Sequence, residues 1–137
     1  MYKLMIFIIL LVSSCKIPTD IESSIQIRNN SDQSVSTFIA LPNGVGFAYP
    51  DTTLPLNEIP MQSAGLGQQN FYYFPRSLEE ELNTLPTDTI SIYYFSTDTL
   101  NKYSWEEIRD NYMVLRRDDL VPPANAVADN FWLIEYP

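Results

Sequence analysis

Residues Thr89 to Phe95 read Thr-Ile-Ser-Ile-Tyr-Tyr-Phe, a run made almost wholly of β-branched and aromatic side chains without a single charge. Such residues lose rotamer freedom in a helix and suit a pleated surface, so the run predicts a central strand and a sheet protein around it. Ser24 to Arg28 alternates apolar with polar, as a half-buried strand does, and the turn cluster Asn29-Asn30-Ser31-Asp32 joins it to a second strand over Val35 to Leu41. Phe47-Ala48-Tyr49, the aromatic run Phe71 to Phe74, Tyr112 to Arg116 and Phe131 to Tyr136 add further short strands. Residues 50–70 carry Pro50, Pro55, Pro60, Gly65 and Gly67 with little periodicity and read as one long surface loop. Short helices are expected at Ser77–Leu82, from Thr97 or Asp98 to Lys102, and from Ser104 to Asn111, where Ser104 and Glu107 have capping-box spacing. Together these signals predict a mainly β fold: a single antiparallel β-sandwich, immunoglobulin-like, over residues 24–137 with short connecting helices.

The N-terminal stretch does not belong to that domain. Met1-Tyr2-Lys3 gives a short basic start, Leu4 to Val12 is unbroken apolar sequence, and Ser13-Ser14 precede Cys15, the only cysteine of the chain. A run of that length covers ~14 Å as a helix, about half of a hydrocarbon core, which is too short to span a membrane. The order basic, apolar, small, cysteine resembles the signal peptide of a bacterial lipoprotein, with Val12-Ser13-Ser14-Cys15 in the place of the lipobox. The resemblance implies cleavage of residues 1–14, a diacylglyceryl group with added acyl chains on Cys15, and a linker over residues 15–23. Two or more chains of buried methylenes anchor a protein stably, so the expected partner is a membrane, reached through lipid. Lys16 follows the cysteine where an aspartate commonly retains such proteins in the inner membrane, so a cell-envelope location at the outer membrane is expected.

Composition removes several classes of chemistry. The chain of 137 residues contains no histidine, which excludes Ser-His-Asp and Cys-His catalysis, histidine metal sites and a histidine pH switch. Its net charge of −9 becomes more negative once Lys3 is removed with the leader, and that argues against a nucleic-acid partner and against lying flat on anionic lipid. The length remaining after cleavage suits one domain with a core of its own, without disulfides.

A second resemblance rests on Asp98-Thr99-Leu100-Asn101-Lys102-Tyr103-Ser104-Trp105-Glu106-Glu107-Ile108-Arg109, on Tyr112-Met113-Val114-Leu115-Arg116-Arg117, and on the ending Trp132-Leu133-Ile134-Glu135-Tyr136-Pro137. With Ile27-Arg28-Asn29-Asn30-Ser31, these segments resemble a family of small lipoproteins of gut-type anaerobic bacteria, over roughly Ser24 to Pro137. The family implies no activity and hands over no catalytic residue. Where relatives carry a charged, leucine-containing helix before the tryptophan, this chain has Pro122-Pro123-Ala124-Asn125-Ala126-Val127, so the last helix is not expected to form.

The remaining candidates for chemistry are few. Glu79-Glu80-Glu81, Glu106-Glu107 and Asp118-Asp119 lack the spacing of a calcium loop and read as solvated faces and first turns of helices. Thr99 three residues before Lys102 echoes Ser-Lys nucleophiles without their companion motifs. Arg76, Arg109, Arg116 and Arg117 read as ion-pair partners for nearby acids. The aromatics offer more: Tyr72, Tyr73, Tyr93 and Trp105 are the candidate binding residues, since alternation along strands turns about half of such side chains outward. Asp51-Thr52-Thr53, Asp88-Thr89-Ile90 and Asp98-Thr99-Leu100 each resemble the Asp-Thr-apolar acceptor of a bacterial O-glycosylation system, which makes Thr52, Thr89 and Thr99 candidate glycosylation sites. The expectation from sequence is a lipid-anchored, non-enzymatic interaction or accessory module with an envelope protein or glycan as partner. It needs no cofactor beyond the lipid on Cys15, no catalytic residue and no metal. The alternative is a surface glycan-binding lipoprotein that uses its exposed aromatics.

Overall fold

The structure, a computed structural model, describes residues 21–40, 49–57 and 61–137. The expected signal segment, the lipobox with Cys15, and Phe47-Ala48 lie outside the described residues. Among those described, the chain runs β1 (Ser23–Asn29), β2 (Val35–Ala40), β3 (Gln62–Ala64), β4 (Gln69–Phe74), α1 (Leu78–Leu82), β5 (Ile90–Ser96), α2 (Thr97–Lys102), α3 (Trp105–Asp110), β6 (Arg116–Leu120), α4 (Ala124–Asp129) and β7 (Phe131–Tyr136). The strands form a three-stranded sheet in the order β4-β1-β7 and a four-stranded sheet in the order β3-β2-β5-β6.

The expected mainly β architecture is present, with one departure in strand direction. β1 and β7 pair in parallel, Ser24 opposite Phe131 and Asn29 opposite Tyr136, whereas every other pairing is antiparallel. After β6 the chain leaves the larger sheet through α4 and crosses to the smaller one. It therefore arrives beside β1 in the same direction, the geometry that a long crossover permits and a hairpin does not.

Two apolar layers hold the molecule together. Ile25, Ile27, Val35, Ile39, Phe74, Ile90, Ile92, Tyr94, Ile134 and Tyr136 fill the space between the sheets, closed at one side by Leu78 and Leu82 of α1. The second layer lies on the other face of the larger sheet, where Phe38, Ala40, Tyr93 and Phe95 are covered by Leu54, Ile108, Trp105 and Met113. β2 and β5 are thus buried on both faces, which is why Thr89–Phe95 carries no charged residue. The smaller sheet is covered on one face only, and β1 accordingly alternates between buried and half-buried positions.

The helices follow their caps. Ser77 and Glu80 form a capping box on α1, and Ser104 and Glu107 form the expected one on α3. The N-cap of α2 is Ser96, not Thr97 or Asp98, and it makes no side-chain capping bond. α4 forms despite the expectation against it. Pro122 and Pro123 precede the helix, Pro123 is its N-cap, where a missing N–H costs nothing, and the alanines after it favour the helix. Asn130 ends it in the left-handed region with φ 53°.

Two strand boundaries also differ from expectation. The 50–70 stretch contains β3 and the start of β4, recruited because Val35–Thr37 offers an unpaired edge to Gln62–Ala64. The sixth strand starts at Arg116, not Tyr112. Residues 112–115 form a turn in which Tyr112 adopts φ 47° and the Met113 N–H donates to the Ile108 carbonyl.

Candidate binding surfaces

Strand parity distributes the four candidate aromatics. In β4, residues Asn70, Tyr72 and Phe74 face the inter-sheet core, and Gln69, Phe71 and Tyr73 face away from it. The Tyr72 hydroxyl reaches Thr37 and donates to its carbonyl, and Asn70 Nδ2 donates to the Thr37 hydroxyl at 2.8 Å, a polar link from sheet to sheet. Tyr93 is 1% exposed, stacked on Phe38 at 4.7 Å between ring centroids. Trp105 packs edge-on against Phe95, and its indole N–H donates to the Pro55 carbonyl at 2.9 Å, which pins the 49–57 segment over the larger sheet. Tyr93 is thus buried, Tyr72 and Trp105 are half-buried and hydrogen-bonded, and Tyr73 is 56% exposed, so the four do not share one face.

Burial has a measurable consequence for these phenols. It raises Tyr72 to about 12 against a weaker opposing hydrogen bond from Thr37, and raises Tyr93 to about 12 against the attraction of Arg117. Tyr94 is pushed up further, by burial first and by Asp118 next. Each phenol prefers its proton more strongly folded than unfolded, where it titrates at ~10. The stabilisation is therefore complete below pH ~10 and is lost as pH rises through the folded values. Denaturation in urea at pH 7, 8.5 and 11.5 is expected to show equal midpoints at the first two and a clear fall at the third.

The carboxylate clusters serve local structure, and the arginines pair as expected. Glu80 and Glu107 complete capping boxes, and Arg76 pairs with the buried Glu81 at 3.6 Å. Arg109 pairs with Asp110, Arg116 with Asp118 at 2.7 Å and Arg117 with Asp119 at 2.8 Å. Thr99 and Lys102 share one turn of α2, and the Lys102 ammonium lies over the Tyr103 ring. Of the three candidate glycosylation sites, Thr52 is exposed, whereas Thr89 and Thr99 are half-buried.

Two surface features emerge, of which the sequence marked only the 50–70 stretch, Thr52 and Tyr73. The first is an open cleft of about 370 Å³ between the 49–57 segment and the end of α3, lined by Thr52, Thr53, Leu54, Arg109, Asp110 and Tyr112. Its rim is held by short links. The Asp51 carboxylate accepts from the Thr53 N–H at 2.9 Å and hydroxyl at 2.8 Å, and Arg109 Nη1 donates to the Leu56 carbonyl. Those same two bonds from Thr53, with Arg117 nearby, hold the Asp51 carboxyl below the usual carboxylate range. The cleft thus gathers a guanidinium, a carboxylate, two hydroxyls and one exposed phenol. It is small enough to orient a compact polar ligand.

The second feature is the outer face of the smaller sheet. Register places Tyr73, Ser24 and Phe131 in one row across the strands, Phe71, Gln26 and Leu133 in the next, and Gln69, Arg28 and Glu135 in the third. Phe71, Tyr73 and Phe131 are 36%, 56% and 41% exposed, and Phe71 stacks on Tyr73 at 6.1 Å. The third row is polar. Arg28 pairs with Glu135 at 3.3 Å, and the Gln69 amide, turned to suit its neighbours, accepts from Arg28 and donates to Gln26. No family model, curated protein or solved structure matches the chain.

Proposed function

We propose that the chain is a lipid-anchored, non-enzymatic interaction module of the bacterial cell envelope, related to the small lipoproteins that it resembles. The observation that carries this reading is the order Met1-Tyr2-Lys3, Leu4–Val12, Ser13-Ser14, Cys15, followed within a few residues by the first strand of a folded domain at Ser23. No helix among the described residues is long and apolar enough to cross a membrane. In the parent host, Cys15→Ala is expected to move the protein from the membrane fraction to the soluble one. A variant that stays with the membrane and is processed as before overturns the anchoring.

A glycan-binding role is the second reading, and the cleft favours it over the aromatics first considered. Sugars are recognised by planar polar side chains that bond their hydroxyls and by an aromatic face that packs on their C–H groups. Arg109, Asp110, Thr52, Thr53 and Tyr112 supply that combination. If the reading holds, the full chain shows saturable binding on a glycan array, and Asp110→Ala weakens it by at least about tenfold, the effect of one charge-assisted hydrogen bond. Binding that is unchanged in Asp110→Ala places the sugar elsewhere.

A further inference from the structure

Of the nine large apolar side chains exposed among the described residues, Phe71, Tyr73 and Phe131 share the outer face of the smaller sheet, with the half-buried Leu133 between them. Ile21, 54% exposed, lies three residues before Ser24, at the end of the sheet where the chain arrives. The three rows form a gradient. The two nearest the arriving chain flank the uncharged Ser24 and Gln26 with Tyr73, Phe131, Phe71 and Leu133, and the third, Gln69-Arg28-Glu135, is charged and hydrogen-bonded within itself. In a molecule of net charge −9, the strands of that face carry one ion pair, Arg28 with Glu135, and the exposed Glu22 continues the same alternation at the end where the chain arrives.

Ile21 lies six residues after Cys15, a reach of at most ~20 Å. Whatever surface borders Ile21 is therefore held within one short tether of the bilayer to which Cys15 is attached. The face measures ~14 Å across three strands and ~20 Å along six residues, ~300 Å² in all, against ~800 Å² per partner in a stable complex. A second copy or a protein partner would gain too little there. A tethered domain needs no such area, because the anchor already supplies most of the association entropy and each inserted aromatic adds to a binding step made intramolecular.

Resting on the anchoring reading, we infer that Phe71, Tyr73, Phe131 and Leu133 dock against the lipid interface of the membrane that holds Cys15. Phenylalanine and tyrosine partition to the headgroup boundary, and the acidic remainder of the molecule faces water. The cleft lies on the opposite side, over the second apolar layer of the larger sheet, and this docking presents it away from the membrane.

The test uses the processed, lipidated full chain in zwitterionic vesicles of phosphatidylethanolamine and phosphatidylcholine, which do not repel its acidic surface. With Cys15 acylated, a single introduced cysteine takes one pyrene label, either in Ser24→Cys on the face or in Asn101→Cys on α2. Lipids carrying a nitroxide near the headgroup are expected to lower emission at position 24 by at least about twofold and to leave position 101 unchanged. Adding Phe71→Ser and Phe131→Ser to the Ser24→Cys variant is expected to remove the quenching while the protein still floats with the vesicles. Vesicle-bound protein with equal, weak quenching at both positions overturns the docking and leaves the anchor standing. Excimer emission at position 24 without quenching assigns the face to a second copy and also overturns it. Protein that takes label without any introduced cysteine and fails to float removes the anchor, and the docking with it.

Discussion

Tyr94→Ala is expected to destabilise the domain by about 4 kcal/mol, the range for removing a large ring from a packed core. Tyr94 is completely buried between the sheets, opposite Thr37 in the register, with its ring 4.6 Å from that of Tyr136. Truncation leaves a cavity bounded by strands of both sheets, which cannot close without moving one sheet against the other. A domain of this size has about 6–15 kcal/mol in total, so the variant should unfold at a midpoint lower by roughly 12–20 °C. Tyr94→Phe supplies the contrast. The Tyr94 hydroxyl is buried and makes no hydrogen bond among the described residues. Removing it is expected to leave stability unchanged or raise it by up to about 1 kcal/mol, since an unsatisfied buried hydroxyl is a cost and not a contact. Thermal denaturation of the two variants side by side checks both signs.

Asn29→Ala is expected to cost about 3 kcal/mol for a different reason, the loss of a saturated hydrogen-bond node. Asn29 is 2% exposed at the end of β1. Its Nδ2 donates to the Gln33 carbonyl at 2.7 Å and to the Ala64 carbonyl at 2.8 Å, and its Oδ1 accepts from the Ser31 N–H and hydroxyl. One side chain thus shapes the turn into β2 and ties the smaller sheet to β3 of the larger. Asn29→Asp keeps the shape and removes the two donors, leaving a buried carboxylate against two carbonyl oxygens. It is expected to be at least as damaging as alanine at pH 7 and to recover in part at acid pH, where the carboxyl regains one proton to donate. An Asn29→Asp variant as stable as the parent at pH 7 would show that Nδ2 contributes nothing.

How far the sequence revealed this molecule depends on where each signal is stored. Thr89–Phe95 announced a central strand because burial on both faces leaves its mark on every residue. Ser104 and Glu107 announced a helix start because a capping box is local. Arg116–Leu120 went unseen as a strand: its Arg-Arg-Asp-Asp sequence has no apolar alternation, and it holds the edge of the larger sheet through i,i+2 ion pairs and β5. Tyr112–Leu115 drew the strand assignment instead, through apolar residues that pack from a turn. The parity of Phe71-Tyr72-Tyr73-Phe74 was equally hidden, since either phase puts one aromatic pair inside. Contacts across the sheets decide it: Tyr72 and Asn70 bond to Thr37, more than 30 residues away, and Phe74 joins the core. The cleft joins residues 52–54 to 109–112 through the fold alone, and no local pattern records that meeting.

The outer sheet face, the cleft and the tether acquire a common orientation only if Cys15 carries lipid. The most direct measurement is the mass of the N-terminal peptide of the protein purified from its own host. The account predicts a peptide beginning at Cys15, lacking residues 1–14, with the mass of a diacylglyceryl group and its fatty acids on that cysteine. A peptide that begins elsewhere, or a Cys15 that carries a free thiol, would contradict it.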